Sequence, residues 1–413
     1  MDLDQLAALR TPEGSAALAA AARVAGGDPL TAAAALRSAG LPAGLASAAL
    51  TQAELRRRAV GKFGPAAAGM FLTRAGLEQA TRGVVAARRA ERLRAAGVRT
   101  LADLGCGLGA DALAAARAGI RVYGVEADPL TAAMAAANAE AAGLAELFTV
   151  ECGDATAFDV DRVDGVFCDP ARRRAGTGRR IFDPNAYSPP WDFVVGLAER
   201  VPHTVVKVAP GIDHALVPAG AEAEWVSVDG DLVEAALWCG ELARVPRRAT
   251  LLRDRQRPPV DASGAGGGPV DRPAGSSQLT GSGAAEATVG PARRFLYDPD
   301  PAVVRAHLVA ELAETLGATL ADPSIAYLYA DAPTPTPFAR CLEVTDVLPF
   351  SLKRLRALLR ERRVGRVEIL KRGSALEPEK LRRDLRLAGD EAASLVLTRV
   401  AGAPTVLLCR PVG

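Results

Sequence analysis

The chain has 413 residues, with 50 Lys and Arg against 48 Asp and Glu, a formal net charge of +2. That length holds two or three domains, and the near balance of charge excludes a global polycation, so any nucleic-acid surface has to be local. Six cysteines without a Cys-x-x-Cys pair, beside three histidines, speak against a disulfide scaffold or a zinc site and for a reducing compartment.

The chain opens on the acidic Met1-Asp2-Leu3-Asp4, and no long apolar run follows. This reads as neither a signal peptide nor a membrane span and predicts a cytoplasmic protein with no membrane partner and no metal. Residues 1–95 are rich in Ala and Leu at helical spacing, broken near Pro12, Pro29, Pro42 and Pro65, and predict a helical N-terminal domain. Its last helices run through 76–81 and 84–96. Arg82, Arg88, Arg89, Arg92 and Arg94 there read as solvated helix faces, or as the lining of a ligand path.

Residues 96–253 predict an α/β domain. Apolar runs near 101–104, 120–125, 163–168 and 204–208, separated by helices, mark a parallel sheet covered on both faces; further strands follow at 224–228, 232–239 and 248–252. Residues 254–290, with Pro258-Pro259 and Gly281-Ser282-Gly283 among isolated apolar residues, bury too little surface to offset their ordering entropy and predict a flexible linker. Residues 291–413 predict a separate α+β unit: a helix over 302–316, strands near 325–328 and 341–344, a basic amphipathic helix over 351–363, and strands near 366–370, 394–399 and 405–409.

The most informative stretch is Asp103-Leu104-Gly105-Cys106-Gly107-Leu108-Gly109. A buried strand breaks there into a glycine-rich turn before a helix, which lets backbone approach a nucleotide-like ligand. About 20 residues on, the second strand ends in Glu126, where an acid can take both ribose hydroxyls. Gly105, Gly107 and Ala110 alone also fit a dinucleotide site. Three features favour S-adenosylmethionine. Asp103 can meet the cationic amino-acid end of that donor. Asp154, after the short strand Val150-Glu151-Cys152, can accept from the adenine amine. The fourth strand delivers Asp169-Pro170 to the carboxyl edge of the sheet, where ligands bind. Cys106, Ala127 and Ala155 are the pocket neighbours of these residues.

These signals in this order resemble the class I S-adenosylmethionine-dependent methyltransferases. Several further stretches carry a closer likeness: Glu78-Gln79-Ala80-Thr81, Asp169-Pro170-Ala171-Arg172-Arg173 with Gly178-Arg179-Arg180, Lys207-Val208-Ala209-Pro210-Gly211, Tyr297-Asp298-Pro299-Asp300, Lys371-Arg372-Gly373 and Val396-Leu397-Thr398-Arg399. Together they resemble bacterial class I methyltransferases with a THUMP-like C-terminal domain, over nearly the whole chain except the linker. The resemblance implies a Rossmann-like sheet, a helical N-terminal domain, a small α+β THUMP-like domain, S-adenosylmethionine as cofactor and an RNA substrate, tRNA first.

At the fourth strand, amine methyltransferases that act on bases carry Asn or Asp, two prolines and an aromatic residue. Here Asp169 and Pro170 fit, while Ala171 and Arg172 depart from the pattern. Arg172 can lie flat on a base or meet a phosphate. The catalytic candidates are therefore Asp169, which would also border the donor, with Pro170 and Arg172. Arg173, Arg179 and Arg180 in the following loop suit phosphate contact, as do Lys353, Arg356, Arg360, Lys371 and Arg372 in the C-terminal unit. Tyr187-Ser188-Pro189-Pro190-Trp191 reads as a loop entering the next helix, about 20 residues past the fourth strand, and Cys168 as a packed strand cysteine. Two other functions stay open: methylation of a small molecule or protein, and an RNA-binding module on a vestigial methyltransferase fold.

Overall fold

The computed structural model describes residues 1–172, 187–254 and 275–412. The chain forms two compact units, residues 1–222 with 235–244 and residues 223–234 with 245–413.

The first unit begins with helices α1 (Leu3–Leu9), α2 (Pro12–Val24), α3 (Pro29–Ser38) and α4 (Ala43–Phe63). Their starts are written locally. Asp2, Thr11 and Asp28 each accept a backbone N–H three residues on, and Pro12 and Pro29 sit in first turns, where a missing N–H costs nothing. Two further helices, α5 (Arg74–Gln79) and α6 (Gly83–Ala95), lead into the sheet.

Then follow β1 (Thr100–Leu104), α7 (Ala110–Arg117), β2 (Arg121–Glu126), α8 (Pro129–Ala141), β3 (Phe148–Cys152), β4 (Gly165–Cys168), the short β5 (Ala171–Arg172) and β6 (Tyr187–Ser188), α9 (Trp191–Arg200) and β7 (His203–Val208). Helical crossovers force parallel pairing, and β3-β2-β1-β4-β7 are all parallel neighbours. This is the expected Rossmann-like sheet, and the carboxyl ends of its strands share one edge.

The N-terminal helices do not close a core of their own. Leu6, Leu36, Leu72 and Leu93 share one apolar cluster with Leu101, Val122 and Phe167, so the expected boundary at 95/96 is no break between compact units. Ala-rich helices present short side chains and find enough burial only against the sheet's helices. Asn138 of α8, itself buried, secures this packing. Its Oδ1 accepts Phe71 N–H (2.6 Å), and its Nδ2 donates to Phe71 O (3.1 Å) and Leu108 O (3.0 Å).

β8 (Glu222–Val228) and β9 (Asp231–Trp238) turn about Asp229 (φ 53) and Gly230 (φ 87), two left-handed residues in the twist a tight hairpin prefers. The later half of β9 belongs to the first unit and runs antiparallel to β7. In the second unit β10 (Arg247–Leu252) is parallel to β8, and β11 (Ser277–Gly281) is antiparallel to β10. β11 lies inside the segment read as linker. An edge strand needs only backbone partners, so its polar sequence concealed it; residues 255–274 of that segment lie outside the described residues.

The rest of this unit comprises β12 (Phe295–Pro299), α10 (Pro301–Arg305), α11 (Val309–Leu316), β13 (Thr319–Leu320), β14 (Leu328–Ala330), β15 (Ala339–Pro349), α12 (Leu352–Glu361), β16 (Val364–Lys371), α13 (Pro378–Leu385), β17 (Glu391–Val400) and β18 (Ala403–Pro411). Its strands order as β13-β14-β12-β15-β18-β17-β16. The single helix expected over 302–316 is two, broken where His307 turns left-handed (φ 60), and the strand expected at 325–328 begins at Leu328. Leu355 and Leu359 of α12 and Leu381 and Leu385 of α13 pack over one face of the sheet, on Leu395 and Val406.

Asn138→Ala strips Phe71 N–H and two carbonyls of their partner. A lost buried partner costs about 1–3 kcal/mol per group. The expected result is a thermal midpoint lower by several degrees and faster amide exchange through residues 64–73, read by calorimetry and exchange mass spectrometry.

Candidate active site

β1 ends beside three left-handed glycines: Gly105 (φ +91), Gly107 (φ +54) and Gly109 (φ +84). Conformation demands all three, and space demands Gly109 as well. A Cβ on Gly109 would lie 2.7 Å from the Phe148 ring, and one on Gly105 would stand 3.4 Å from Asp169 O. Gly105 and Cys106 donate to Val125 O (2.9 and 3.0 Å), so the loop is stitched to the end of β2. The Cys106 thiol is buried, and burial pushes its pKa far up; it is a wall of the loop.

Glu126, at the end of β2, holds the loop from the other side. Its Oε2 accepts Gly107 N–H (3.0 Å) and its Oε1 accepts Asp128 N–H (3.0 Å). A carboxylate has about four acceptor positions, so two stay available for a pair of hydroxyls, and Ala127 beside it is exposed. Asp154 is exposed and caps the turn that begins at buried Ala155: its Oδ1 accepts Thr156 N–H (2.9 Å), which lowers its pKa.

Asp103 is the unusual group. It is 1 % exposed, and neither carboxylate oxygen has a partner among the described residues. Burial, then Asp111 and Asp169, raise its pKa well above the carboxylate range, against the pull of Arg89 and Lys207. A buried carboxyl without a partner is costly. A cationic group arriving from outside would relieve it.

Asp169 lies one residue past β4. Its Oδ2 accepts from Lys207 Nζ at 2.5 Å. Lys207, on β7, is 13 % exposed to Asp169's 37 %, and its Nζ also reaches Gln79 O at 3.5 Å. No residue within the described set donates to Asp169 Oδ1. Pro170 is buried behind it. Lys207 was part of a motif in the sequence, but its partnership was not legible: 38 residues separate it from Asp169, and only the β4–β7 neighbourhood joins them.

The β5–β6 ribbon was also hidden. Ala171 pairs with Ser188 and Arg172 with Tyr187, which returns Ser188-Pro189-Pro190-Trp191 to the end of β4, not to a loop remote from it. Arg173, Arg179 and Arg180 lie outside the described residues. Cys168 is fully buried, and burial drives its thiol pKa far up, with Asp169 and Asp103 adding to the shift.

Of the arginines of α6, Arg94 is exposed, as a solvated face requires, while Arg89 and Arg92 are turned inward. Arg89 is buried, paired with Asp111 and set 4.5 Å over the Phe167 ring; Arg92 pairs with buried Glu222 (2.7 Å) and lies 3.9 Å over Trp238. In the second unit Lys353 and Arg360 are exposed. Of three other residues expected to bind RNA, Arg356 donates to Asp384 O and Arg372 to Asp298 (2.8 Å) and Pro299 O (3.0 Å), while Lys371 stays exposed and donates to Leu376 O (3.2 Å). Asp384 lies at the end of α13 and Asp298 and Pro299 end β12, 28 and 74 or 73 residues away in sequence from their arginines, which sequence spacing does not show. Among the described residues no group of three or more His, Cys, Asp and Glu could hold a metal, and no helix is long and apolar enough to cross a membrane.

Three family models match the chain: a methyltransferase domain over residues 101–173, a THUMP domain-like region over 339–411 and a domain of unknown function over 2–59. An uncharacterized S-adenosylmethionine-dependent methyltransferase of Mycobacterium tuberculosis, found in strains CDC 1551 and H37Rv, is 35 % identical over 372 residues, 86 % of this chain and 95 % of the relative. The chain belongs to the S-adenosylmethionine-dependent methyltransferases. A methyltransferase-fold protein of Porphyromonas gingivalis W83 shares its architecture, at a TM-score of 0.73 and 20 % identity, over 97 % of this chain and 99 % of the other.

The residues of the methyltransferase fit its cofactor. The orphaned Asp103 carboxyl suits the ammonium of the donor's methionine end, Gly105 to Gly109 leave backbone bare beside it, and Glu126 retains acceptor positions for the ribose. Asp103 also ties function to stability. Its pKa is raised on folding, so the stability it contributes is present below the unfolded value of 3.8 and is lost as pH rises through the raised value. At pH 7 it is a cost in the ligand-free protein. Asp103→Asn is therefore expected to raise the ligand-free thermal midpoint by about 2 °C or more while weakening S-adenosylhomocysteine about ten- to a hundredfold, the worth of a charge-assisted bond. Calorimetry with and without ligand measures both.

Proposed function

We propose that this methyltransferase modifies a base nitrogen of RNA, with tRNA the first candidate. The observation that carries the reading is the Asp169 carboxylate at the carboxyl edge of the sheet, beside the glycine loop, with Oδ2 committed to Lys207 and no donor to Oδ1 among the described residues. The cofactor supplies a methyl group on a sulfonium, an electrophilic carbon. Methyl transfer then needs an acceptor lone pair in line with the carbon–sulfur bond. Asp169 Oδ1 accepts one N–H of an acceptor amine and so aims its lone pair; Lys207 keeps the carboxylate from turning away. The Asp169 carboxylate would stabilise the positive charge that the acceptor nitrogen gains on taking the methyl group, and would take up the nitrogen's proton or pass it to solvent. Buried Pro170 stiffens the approach.

Asp103 would hold the methionine end of the donor, Glu126 the ribose and Asp154, with Ala155, the adenine side. The THUMP domain-like match supports an RNA acceptor, because THUMP domains recruit tRNA ends. The exposed Lys353 and Arg360 supply cations for phosphate; Arg356 and Arg372, committed to partners within the domain, act as its structural residues.

Purified protein given methyl-labelled S-adenosylmethionine and total RNA from a host lacking the gene is expected to label RNA in an RNase-sensitive way. Asp169→Ala is expected to lower that label about a hundredfold or more without losing cofactor binding. Binding of cofactor with no label in any RNA would exclude RNA as the acceptor in that pool and turn the search to small molecules and proteins.

Exposed phosphate contacts show in salt dependence. Replacing Lys353 and Arg360 together by Ala is expected to flatten the slope of log affinity against log salt by roughly 1.5, in filter binding to tRNA, with cofactor affinity unchanged.

A further inference from the structure

Asp169 can aim an acceptor through Oδ1 only while Lys207 holds Oδ2, and the ammonium of Lys207 has a second attraction nearby. Its Nζ donates to Asp169 Oδ2 (2.5 Å) and reaches Gln79 O at 3.5 Å. Gln79 is the last residue of α5, a helix set against the glycine loop: a Cβ on Gly76 would meet Leu108 at 2.6 Å. The last carbonyls of a helix have no helical N–H to accept, and cations are drawn to them. In α5, Gly76 O takes the Ala80 N–H, and the carbonyls of Leu77, Glu78 and Gln79 form the open end.

A second ammonium already stands on that end. Lys62, half-buried in the last turn of α4, donates to Leu77 O (2.6 Å) and Glu78 O (2.9 Å). α6 closes over the same place, since a Cβ on Gly83 would stand 3.3 Å from Lys62 O. Three charged groups surround the Lys62 ammonium: Lys207 from β7, Arg82 from the turn into α6 and Glu78 from α5. Burial, then Lys207 and Arg82, push it down to about 8, against the pull of Glu78. Such an interaction is mutual: Lys62 repels Lys207 as Lys207 repels Lys62. With Leu77 O and Glu78 O taken and a like charge standing on them, the helix end offers Lys207 little, and Asp169 keeps it.

We propose that Lys62 is a positioning residue for the Asp169–Lys207 pair: by occupying the carbonyl end of α5 it denies that end to Lys207 and holds Lys207 on Asp169. The inference rests on the reading of Asp169 as the group that orients the acceptor. It gives the helical N-terminal region a part in the chemistry with no contact to donor or acceptor. It also carries a sign. As pH rises through about 8, Lys62 loses its charge, its repulsion of Lys207 ends, and the hold on Asp169 loosens.

Nuclear magnetic resonance of the lysine side chains tests this. The chain has five lysines, so spectra of protein labelled with carbon-13 at lysine Cε are sparse, and single Lys→Arg variants assign them. The Asp169 contact is read as the displacement of the Lys207 signal when Asp169→Asn is introduced. That displacement is expected to fall about twofold or more as pH rises through the titration of Lys62 itself. Lys62→Met is expected to show the reduced displacement already at neutral pH. Lys62→Arg, charged at every pH used, is expected to keep the full displacement throughout. Glu78→Gln, at an exposed side chain, removes the one pull that keeps Lys62 charged and is expected to move the fall to lower pH, which reads the coupling even where Lys62→Met does not fold. A displacement equal in Lys62→Met and wild type overturns the proposal. So does a fall with pH that persists in Lys62→Arg, or one that stays in place when Glu78→Gln moves the Lys62 titration. Neither donor nor acceptor enters the measurement, so its outcome is separate from whether RNA is methylated.

Discussion

The chain turns left-handed at Gly105, Gly107 and Gly109, and much of the first unit is packed to hold that loop still. Phe148 fills the space that any side chain on Gly109 would need. Val125 O and Glu126 tie its amides, and Asn138 accounts for Leu108 O. Glycine loses the most backbone entropy on ordering, so a glycine-rich turn stays in one shape only when its surroundings dictate it. Here they do so from β2, β3, α5 and α8 together. The loop's bare backbone is then available as a surface for the cofactor, not for the protein's own side chains.

A second economy concerns charge. Three carboxylates, Asp103, Asp111 and Asp169, act on one another at the carboxyl edge of the sheet, and two buried cations answer them. Arg89 answers Asp111, and Lys207 answers Asp169. Asp103 is left over. In the free protein that is an expense carried in burial and repulsion. It fits the proposed role at a site that receives a cation, because Asp103 has no partner among the described residues and could take one from the ligand.

The C-terminal unit shows how little a count of basic residues decides. α12 reads as one basic stripe, yet Arg356 is spent on a carbonyl of Asp384 at the end of α13, and Arg372 on Asp298 of β12. Both serve packing between elements. Lys353 and Arg360, on the same helix as Arg356, remain in solvent. In a chain as rich in arginine as this one, whether a guanidinium meets solvent is settled by the nearest carbonyl or carboxylate in space.

The glycine turn, the acids that end β1, β2 and β4, and the alternation of strand and helix were legible in the sequence because each is a local demand. Positive φ calls for glycine, a buried parallel strand for an unbroken apolar run, a helix start for a capping side chain. The family resemblance rested on those same local signals. What tertiary structure alone decided is who faces whom. Lys207 reaches Asp169 because β7 lies beside β4. Ser188 returns to Ala171 because two short segments pair across 14 intervening residues, and Ser277–Gly281 becomes a strand because β10 offers it an edge. Asn138 joins Phe71 to Leu108 across 67 and 30 residues. The helical N-terminus merges with the sheet's core for the same kind of reason: small side chains leave it no core of its own. Residue type encodes the conformation a backbone can adopt at one place; pairing between distant places depends on the register of the sheet and the packing of its helices, which exist only once the chain has folded.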